Sequence, residues 1–332
     1  MKNILVTGGL GYIGSHTVIE LIANGYTPVI IDDLSNTSIN VLKKLEDISG
    51  QSIRFYQADV NSEDSLTAIF KESDIHAVIH FAAFKAVGES VNEPLKYYQN
   101  NIGGLISLLN VMKQFEVKNI VFSSSCTVYG EPDHSPVNEL AQIKKANSPY
   151  GNTKQIGEEI LSDCRFLNTV ALRYFNPIGA HASAKIGELP LGVPNNLVPF
   201  ITQTAAGIRE KLTVFGNDYN TKDGTCVRDY IHVVDLAVAH VKALSYINNH
   251  PDNSFEVFNI GTGNGFTVLE IIEAFERINQ VKLNYSIGER RAGDVEKVWA
   301  DNTKAETVLG WKAAIGLDEM VRSAWAWQQQ LQ

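Results

Sequence analysis

The chain begins with Ile4-Leu5-Val6, apolar at every position, as expected of a strand buried on both faces of a parallel sheet. A glycine-rich turn follows. Ile13, Thr17, Val18, Leu21 and Ile22 then recur at helical spacing until Gly25 ends the helix. Val29-Ile30-Ile31 reads as a second strand, ending at Asp32. The same rhythm gives strands at Ile53-Arg54-Phe55-Tyr56, Ala77-Val78-Ile79-His80-Phe81, Asn119-Ile120-Val121-Phe122 and Val170-Ala171-Leu172, with helical patterns between them. Repeated β-then-α units predict a doubly wound parallel α/β sheet whose ligands lie beyond the strand C-termini. After about Asn176 the rhythm loosens, and Gly179, Gly187, Pro190, Gly192 and Pro194 mark long loops. Mixed pieces follow at Val227 to Ile231, Phe255 to Ile260 and Val268 to Ile278. The expected division is a first domain over 1–176, with later segments returning to it, and a smaller mixed α/β substrate domain over 177–332. One helix stands out. Over Asn101 to Gln114, Ile102, Leu105, Ile106, Leu108, Leu109, Val111 and Met112 cover most of the circumference. A single sheet-facing stripe needs fewer, so a second face is expected against a partner subunit.

The turn after the first strand is Gly8-x-x-Gly11-x-x-Gly14, and it opens a helix. Strand, glycine turn and helix in that order present backbone N–H groups and a helix N-terminus to a pyrophosphate. Asp32 stands close to the ~20-residue spacing at which an acid meets a ribose 2′-hydroxyl. Its charge would repel a 2′-phosphate, so NAD is expected rather than NADP, on a Rossmann-type sheet. Ala82 and Ala83, small residues at a strand end, would let a cofactor approach the backbone. A second candidate is Ser148-Pro149-Tyr150-Gly151-Asn152-Thr153-Lys154. Pro149 suits a helix start, and positions i and i+4 share a helical face. A phenol titrates near pKa ~10 when free, and a cation fixed beside it favours the phenolate. In a doubly wound sheet the Ser123 to Ser125 run and this helix converge on one crevice. Arg228, Arg290 and Arg291 could clamp phosphates.

Composition narrows the partners. The chain has 332 residues, enough for more than one small domain, and its hydrophobic fraction of 44% is that of a water-exposed globular fold. A net charge of −9 without a basic block argues against nucleic acid. Cys126, Cys164 and Cys226 are odd in number and far apart, so neither a disulfide framework nor a metal site is expected, and a cytoplasmic setting fits. Neither a signal-peptide pattern nor an apolar run of spanning length is evident.

Taken together, these residues resemble the extended short-chain dehydrogenase/reductase family, most closely its UDP-glucose 4-epimerase branch. The matching runs are Val6-Thr-Gly-Gly-x-Gly-Tyr-Ile-Gly-Ser-His16, Lys85-Ala-Val-Gly-Glu-Ser90, Phe122-Ser-Ser-Ser125, Arg173-Tyr-Phe-Asn-Pro177, Pro194-Asn-Asn-Leu197, Phe215-Gly-Asn-Asp-Tyr219 and Val227-Arg-Asp-Tyr-Ile-His232. The resemblance implies Ser125, Tyr150 and Lys154 as catalytic. It implies NAD contacts from Gly8, Gly11, Tyr12, Ile13 and Gly14, from the loop of Asp32, Asp33, Leu34, Ser35, Asn36 and Thr37, and from Asp59 and Val60. Further contacts fall on Phe81, Ala82, Ala83, Phe84, Lys85, Asn100 and Phe175, besides Tyr150 and Lys154. Asn176, Asn196, Leu197, Phe215, Arg228, Arg291 and Asp294 match positions that hold UDP, with Lys85, Ser125, Tyr150 and Val298 toward the sugar.

The implied reaction is redox-neutral. Tyr150 takes the proton from the hexose 4-hydroxyl while hydride leaves C4 for NAD, and hydride then returns to the other face. Lys154 and the nicotinamide charge are expected to lower the Tyr150 pKa. A homodimer of the Asn101 to Gln114 and Tyr150 helices is implied as well. Dehydratases on this fold generally carry an acid/base pair just after the serine, whereas Cys126 and Thr127 follow Ser125. A non-catalytic dinucleotide-binding regulator would not need Tyr150, Lys154 and Ser125. Asp33 and Cys126 depart from the usual family residues. So does Val298, in the segment Gly293 to Asp301, where several relatives have Tyr. A smaller residue there would leave room for an acetamido group, so UDP-N-acetylglucosamine joins UDP-glucose as a candidate substrate.

Overall fold

Apolar strand, tight turn and amphipathic helix alternate through the first half of the chain, and the computed structural model shows why each forms. It describes residues 2–251, 255–291 and 294–331, so Gly293 lies outside the described residues. The first half holds β1 (Asn3–Thr7), α1 (Tyr12–Ala23), β2 (Thr27–Asp32), α2 (Asn40–Ser49), β3 (Arg54–Gln57), α3 (Glu63–Glu72), β4 (Ile75–His80), α4 (Val87–Asn92), α5 (Pro94–Tyr97), α6 (Gly104–Gln114), β5 (Asn119–Ser125), α7 (Pro149–Asp163) and β6 (Asn168–Tyr174). The second holds β7 (Asn176–Ile178), α8 (Leu197–Ala205), β8 (Leu212–Phe215), β9 (Val227–His232), α9 (Val233–Asn249), β10 (Phe255–Ile260), β11 (Gly265–Thr267), α10 (Val268–Asn279), β12 (Tyr285–Gly288), β13 (Lys297–Val298) and α11 (Leu317–Gln329).

Seven parallel strands form the main sheet in the order β10-β6-β5-β4-β1-β2-β3. Both faces are covered, which is why its strands read as continuous apolar runs. Val18 and Leu21 of α1, Leu45 of α2 and Leu236 and Leu244 of α9 pack on one face. Leu66 and Phe70 of α3, Leu105 to Met112 of α6 and Leu161 of α7 pack on the other. The chain leaves β1 toward β2 and β3, then returns to β4 on the opposite side. That reversal opens a crevice at the C-terminal ends of β1 and β4, the place where such sheets bind ligands.

Three features refine the expected elements. The strand expected over Asn119 to Phe122 runs on through Ser123, Ser124 and Ser125, paired with Leu172, Arg173 and Tyr174 on β6. Phe255 to Ile260 returns to the strands of the first half. As β10 it pairs in parallel with β6 at the edge of the main sheet, and α9 before it packs on α1. The apolar surface of α6 is mostly spent inside the chain: Leu105, Leu108, Leu109, Val111 and Met112 are all buried, and Ile106 alone of its large apolar side chains is exposed, at 44%. The helix packs on α3, and its Leu105 lies beside Gly157 of α7.

The remaining strands make a sheet of order β11-β9-β13, with β7 also on β9, and a β8–β12 pair. Val198, Ile201, Val214, Ile272, Phe275 and Met320 fill the core between these strands and α8, α10 and α11. Among the described residues no helix is long and apolar enough to cross a membrane.

Candidate active site

The glycine turn is fixed by its own backbone. Gly8 sits at φ +68°, in the left-handed region that suits glycine, and its N–H donates to the Ile31 carbonyl (2.8 Å). A Cβ on Gly8 would stand 3.0 Å from the Ala82 nitrogen, and one on Gly14 only 2.2 Å from the Gly8 carbonyl oxygen. Gly11 caps α1 without a side-chain acceptor, and a Cβ there would meet only the Gly8 oxygen, at 3.2 Å. No side chain caps the first turn of α1, which leaves its N–H groups suited to a pyrophosphate. Asp32, at the end of β2, is 8% exposed. Its carboxylate accepts from Leu10 N–H (3.1 Å) and Leu34 N–H (3.0 Å). Burial raises its pKa, and those two bonds oppose the rise. Leu34 is at φ +63°, and Thr37 Oγ1 donates to the Leu10 carbonyl (2.8 Å), so the Asp32 to Thr37 loop is tied to the glycine turn. Asp33 is turned outward onto Ser35, with Ser35 and Asn36 exposed. This cradle fits a dinucleotide with a free ribose 2′-hydroxyl.

The neighbouring strand ends complete the cradle. Ala82 N–H donates to Thr7 Oγ1 (3.2 Å), which holds the segment Phe81, Ala82 and Ala83 against the end of β1. Asp59 Oδ1 accepts from Asn61 N–H (2.8 Å) just beyond β3, and Val60 packs on α6 at Gly104. Sequence reasoning named Asn100, whose amide donates to Asn101 Oδ1 (3.0 Å). It missed Asn101, which does more. Asn101 Oδ1 accepts from Phe84 N–H (2.8 Å), while its amide donates to the Phe84 carbonyl (3.0 Å) and to Thr153 Oγ1 of α7 (3.1 Å). Nothing local in the sequence marks it; the structure buries it in a π-helical turn over Tyr98–Gly103. Tyr12 OH donates to the Gly179 carbonyl (2.7 Å), and Lys85 Nζ reaches Glu188 Oε1 (3.2 Å) over the Tyr12 ring. Ile13 follows, half-buried against the core.

Ser148 caps α7 by accepting Gly151 N–H (3.1 Å), and Pro149 opens the helix. Tyr150 and Lys154 do share a face, as their spacing requires, and both are buried. Lys154 Nζ donates to the Ser123 carbonyl (2.7 Å) and lies 5.9 Å from the Tyr150 ring centroid. The Tyr150 phenol is pushed well above its ordinary value, chiefly by burial, while the Ser125 hydroxyl works the other way. The Lys154 ammonium is aimed at a carbonyl of β5, and burial sets the direction of the Tyr150 shift. Burial also pushes Lys154 down, to about 8. Ser125 ends β5, and its Oγ accepts Thr127 N–H (3.2 Å). Cys126 beside it is pushed up to about 12 by burial, too high for a ready thiolate.

Across the crevice, Val298 is paired in register with Arg228. It is buried in a cluster with Phe175 and Tyr129, with Cys126 packed against it. Asp294 gathers the arginines: Arg291 Nη2 donates to it at 2.7 Å, and Arg228 Nη2 lies at 3.6 Å. Arg291 also stands over the exposed Phe215 ring (5.9 Å). Arg290 is engaged elsewhere, with Asp218 (2.7 Å) and stacked on Tyr219. Asn176 begins β7, and Asn196 and Leu197 open α8, where Asn196 donates to Glu188 (2.7 Å). Asp229, in a run already noted for its resemblance, was given no role. It is buried and accepts from Thr262, Gly263 and Ala300 N–H groups, which fixes the loops behind Arg228 and Val298.

A family model described as GDP-mannose 4,6 dehydratase matches residues 5–324. The UDP-glucose 4-epimerase of Bacillus subtilis is 50% identical, over 98% of this chain and 96% of its own length. That of Dictyostelium discoideum is 52% identical, over 98% and 95%. The crystal structure of UDP-glucose 4-epimerase from Stenotrophomonas maltophila, with bound NAD and formylated UDP-arabinopyranose, superposes with a TM-score of 0.97 at 47% identity, covering 100% of this chain and 99% of that one. The chain belongs to the UDP-glucose 4-epimerase family. The dehydratase named by the family model shares the fold, but the epimerase relatives match nearly end to end. With Cys126 and Thr127 after Ser125, the chain also lacks the acid/base pair that dehydratases on this fold generally carry.

Proposed function

We propose that this protein interconverts UDP-glucose and UDP-galactose by transient oxidation at hexose C4, with NAD retained through the cycle. One observation carries the reading: Tyr150, Ser125 and Lys154 meet at the same switch-point crevice as the glycine turn and Asp32. Bound NAD supplies the acceptor for the C4 hydrogen and its electron pair, and the donor for its return. Tyr150 takes the proton of the 4-hydroxyl, and Ser125 holds the same oxygen and relays the proton. Lys154 and the positive ring of the cofactor together oppose the burial that keeps the phenol protonated. Arg228 and Arg291, steered by Asp294, suit the diphosphate. Asn176, Asn196, Leu197 and Phe215 hold the rest of UDP, so the nucleotide stays anchored while the 4-keto sugar turns over.

Incubation with UDP-glucose and separation of the products tests this. UDP-galactose forming without added cofactor is expected. A 4-keto-6-deoxy sugar nucleotide would place the protein with the dehydratases instead.

The finer assignments belong to the same proposal. Val298, a smaller side chain than Tyr and in register with Arg228, supports a pocket wide enough for UDP-N-acetylglucosamine. The large domain comprises residues 1–176 with α9 and β10, and the remainder carries the sugar nucleotide. A homodimer through α6 and α7 is supported by the exposed Ile106 of α6 and by exposed Val87, Val91 and Leu95 on α4 and α5 next to α7. A monomeric mass at micromolar concentration in ultracentrifugation would contradict it. Three free cysteines support a cytoplasmic setting, and the epimerase relatives support a role in galactose metabolism.

A further inference from the structure

Tyr150, Lys154 and Glu158 stand at i, i+4 and i+8 of α7, on one face of the helix. Glu158 is buried, and its carboxylate is held from two strands. Ser124 Oγ of β5 donates to Oε1 at 2.5 Å. Arg173 of β6 donates through Nε to Oε1 at 2.9 Å and through Nη2 to Oε2 at 2.5 Å. The guanidinium is fixed from behind, its Nη1 donating to Tyr129 OH at 3.1 Å and its plane lying over the Tyr129 ring. Tyr129 in turn donates to Asn259 Oδ1 at 2.6 Å. Replacing such a buried ion pair by apolar groups is often neutral or stabilising, so stability alone does not explain its placement one turn from Lys154.

The other half of the observation is the end of β5. Lys154 takes the Ser123 carbonyl, Glu158 takes the Ser124 hydroxyl, and Ser125 is left facing Tyr150. Two side chains, one helical turn apart, thus clamp consecutive residues of the strand that carries the serine. We propose that Glu158, held by Arg173, is a positioning residue for the reaction: it keeps the buried Lys154 charged and sets Ser125 against Tyr150. The groups facing Lys154 are Tyr150 and Glu158 on its own helix, the Ser123 carbonyl and Phe122 ring on β5, and His80 on β4. Tyr97 of α5, Tyr174 of β6 and Cys126 face Tyr150. His80 is held neutral by burial and by Lys154 itself. Glu158 is the carboxylate that acts on Lys154 against the effect of burial.

The inference rests on the epimerase reading, and its test separates the two. In the holoenzyme, 13Cε-lysine NMR follows the Lys154 titration, the signal being assigned by its loss in Lys154→Met. The pH profile of kcat with UDP-glucose is measured alongside. Glu158→Gln keeps the shape and removes the charge, so the Lys154 midpoint should fall by about one to three pH units. The basic limb of kcat should fall with it, which is tenfold less charged Lys154 per unit at a fixed pH above the midpoint. Arg173→Met leaves the carboxylate facing Lys154 and should move the midpoint upward. A midpoint unchanged in Glu158→Gln, or one that moves the same way in both variants, overturns the proposal. Where either variant does not fold, the neutral pair Glu158→Gln/Arg173→Met carries the test, with a lowered midpoint expected and an unchanged one overturning it. If the substrate assignment is wrong, the kcat profile disappears but the NMR shifts remain.

Discussion

Gly14→Ala tests the cofactor cradle at its tightest point. A Cβ at Gly14 would stand 2.2 Å from the Gly8 carbonyl oxygen and 2.9 Å from Gly9 Cα. Carbon and oxygen in ordinary contact are more than 3 Å apart, and both obstacles are backbone, so no rotamer change relieves the overlap. The glycine turn has to move away from α1. Overpacking of this kind costs about 1–3 kcal/mol. Any part of that cost borne by the loop geometry that meets the pyrophosphate appears as weaker NAD binding, up to roughly 5- to 150-fold at ~1.4 kcal/mol per tenfold. The assay is the NAD content of purified protein, read after denaturation, together with activity on adding excess NAD. The variant should purify with much less dinucleotide and recover turnover when NAD is supplied. Gly88→Ala is the control: in α4, with nothing within 4 Å of the new Cβ, it should change neither. Full NAD content in Gly14→Ala would refute the reasoning.

Tyr150→Phe should keep the fold and NAD while kcat drops about 10²–10⁴-fold, and near-normal turnover would remove Tyr150 from the proton transfer. Val298→Tyr should selectively abolish turnover of UDP-N-acetylglucosamine while sparing UDP-glucose; kcat/KM for both sugars in both proteins measures this, and a wild type inactive on the N-acetyl sugar would contradict the pocket argument. Four buried histidines predict acid sensitivity. Burial holds His16 and His80 down to about 3 and His232 and His240 down to about 4. The folded state keeps them neutral, whereas the unfolded chain takes up protons below its ordinary value near ~6.5. Their contribution is therefore complete above that pH and is lost as pH falls toward 3 to 4, at about 1.4 kcal/mol per unit for each. The denaturant midpoint should drop clearly between pH 7 and pH 5, and a flat midpoint would contradict it.

What could be read in advance was local. β1, the glycine turn, α1 and Asp32 lie within a short stretch, and their pattern needs no distant partner. Tyr150 and Lys154 were legible because helical spacing alone puts them on one face. What could not be read depends on residues far away in sequence. Ser123 to Ser125 look like a polar loop, yet they continue β5 because Tyr174, Glu158 and Tyr150 stand ready for their hydroxyls. Phe255 to Ile260 is a strand by composition, but nothing local says that it pairs with β6 rather than with its neighbours. Glu158 would pass for a surface charge without Arg173 beside it. Spacing likewise shows the cation beside Tyr150 but not the depth of burial that raises its phenol.

The central claim is that the hydrogen at C4 leaves and returns within one closed site. UDP-glucose deuterated at C4 tests it most directly. The label should be found at C4 of the UDP-galactose formed, with no hydrogen gained there from solvent. Product whose C4 hydrogen has exchanged with water would contradict the account.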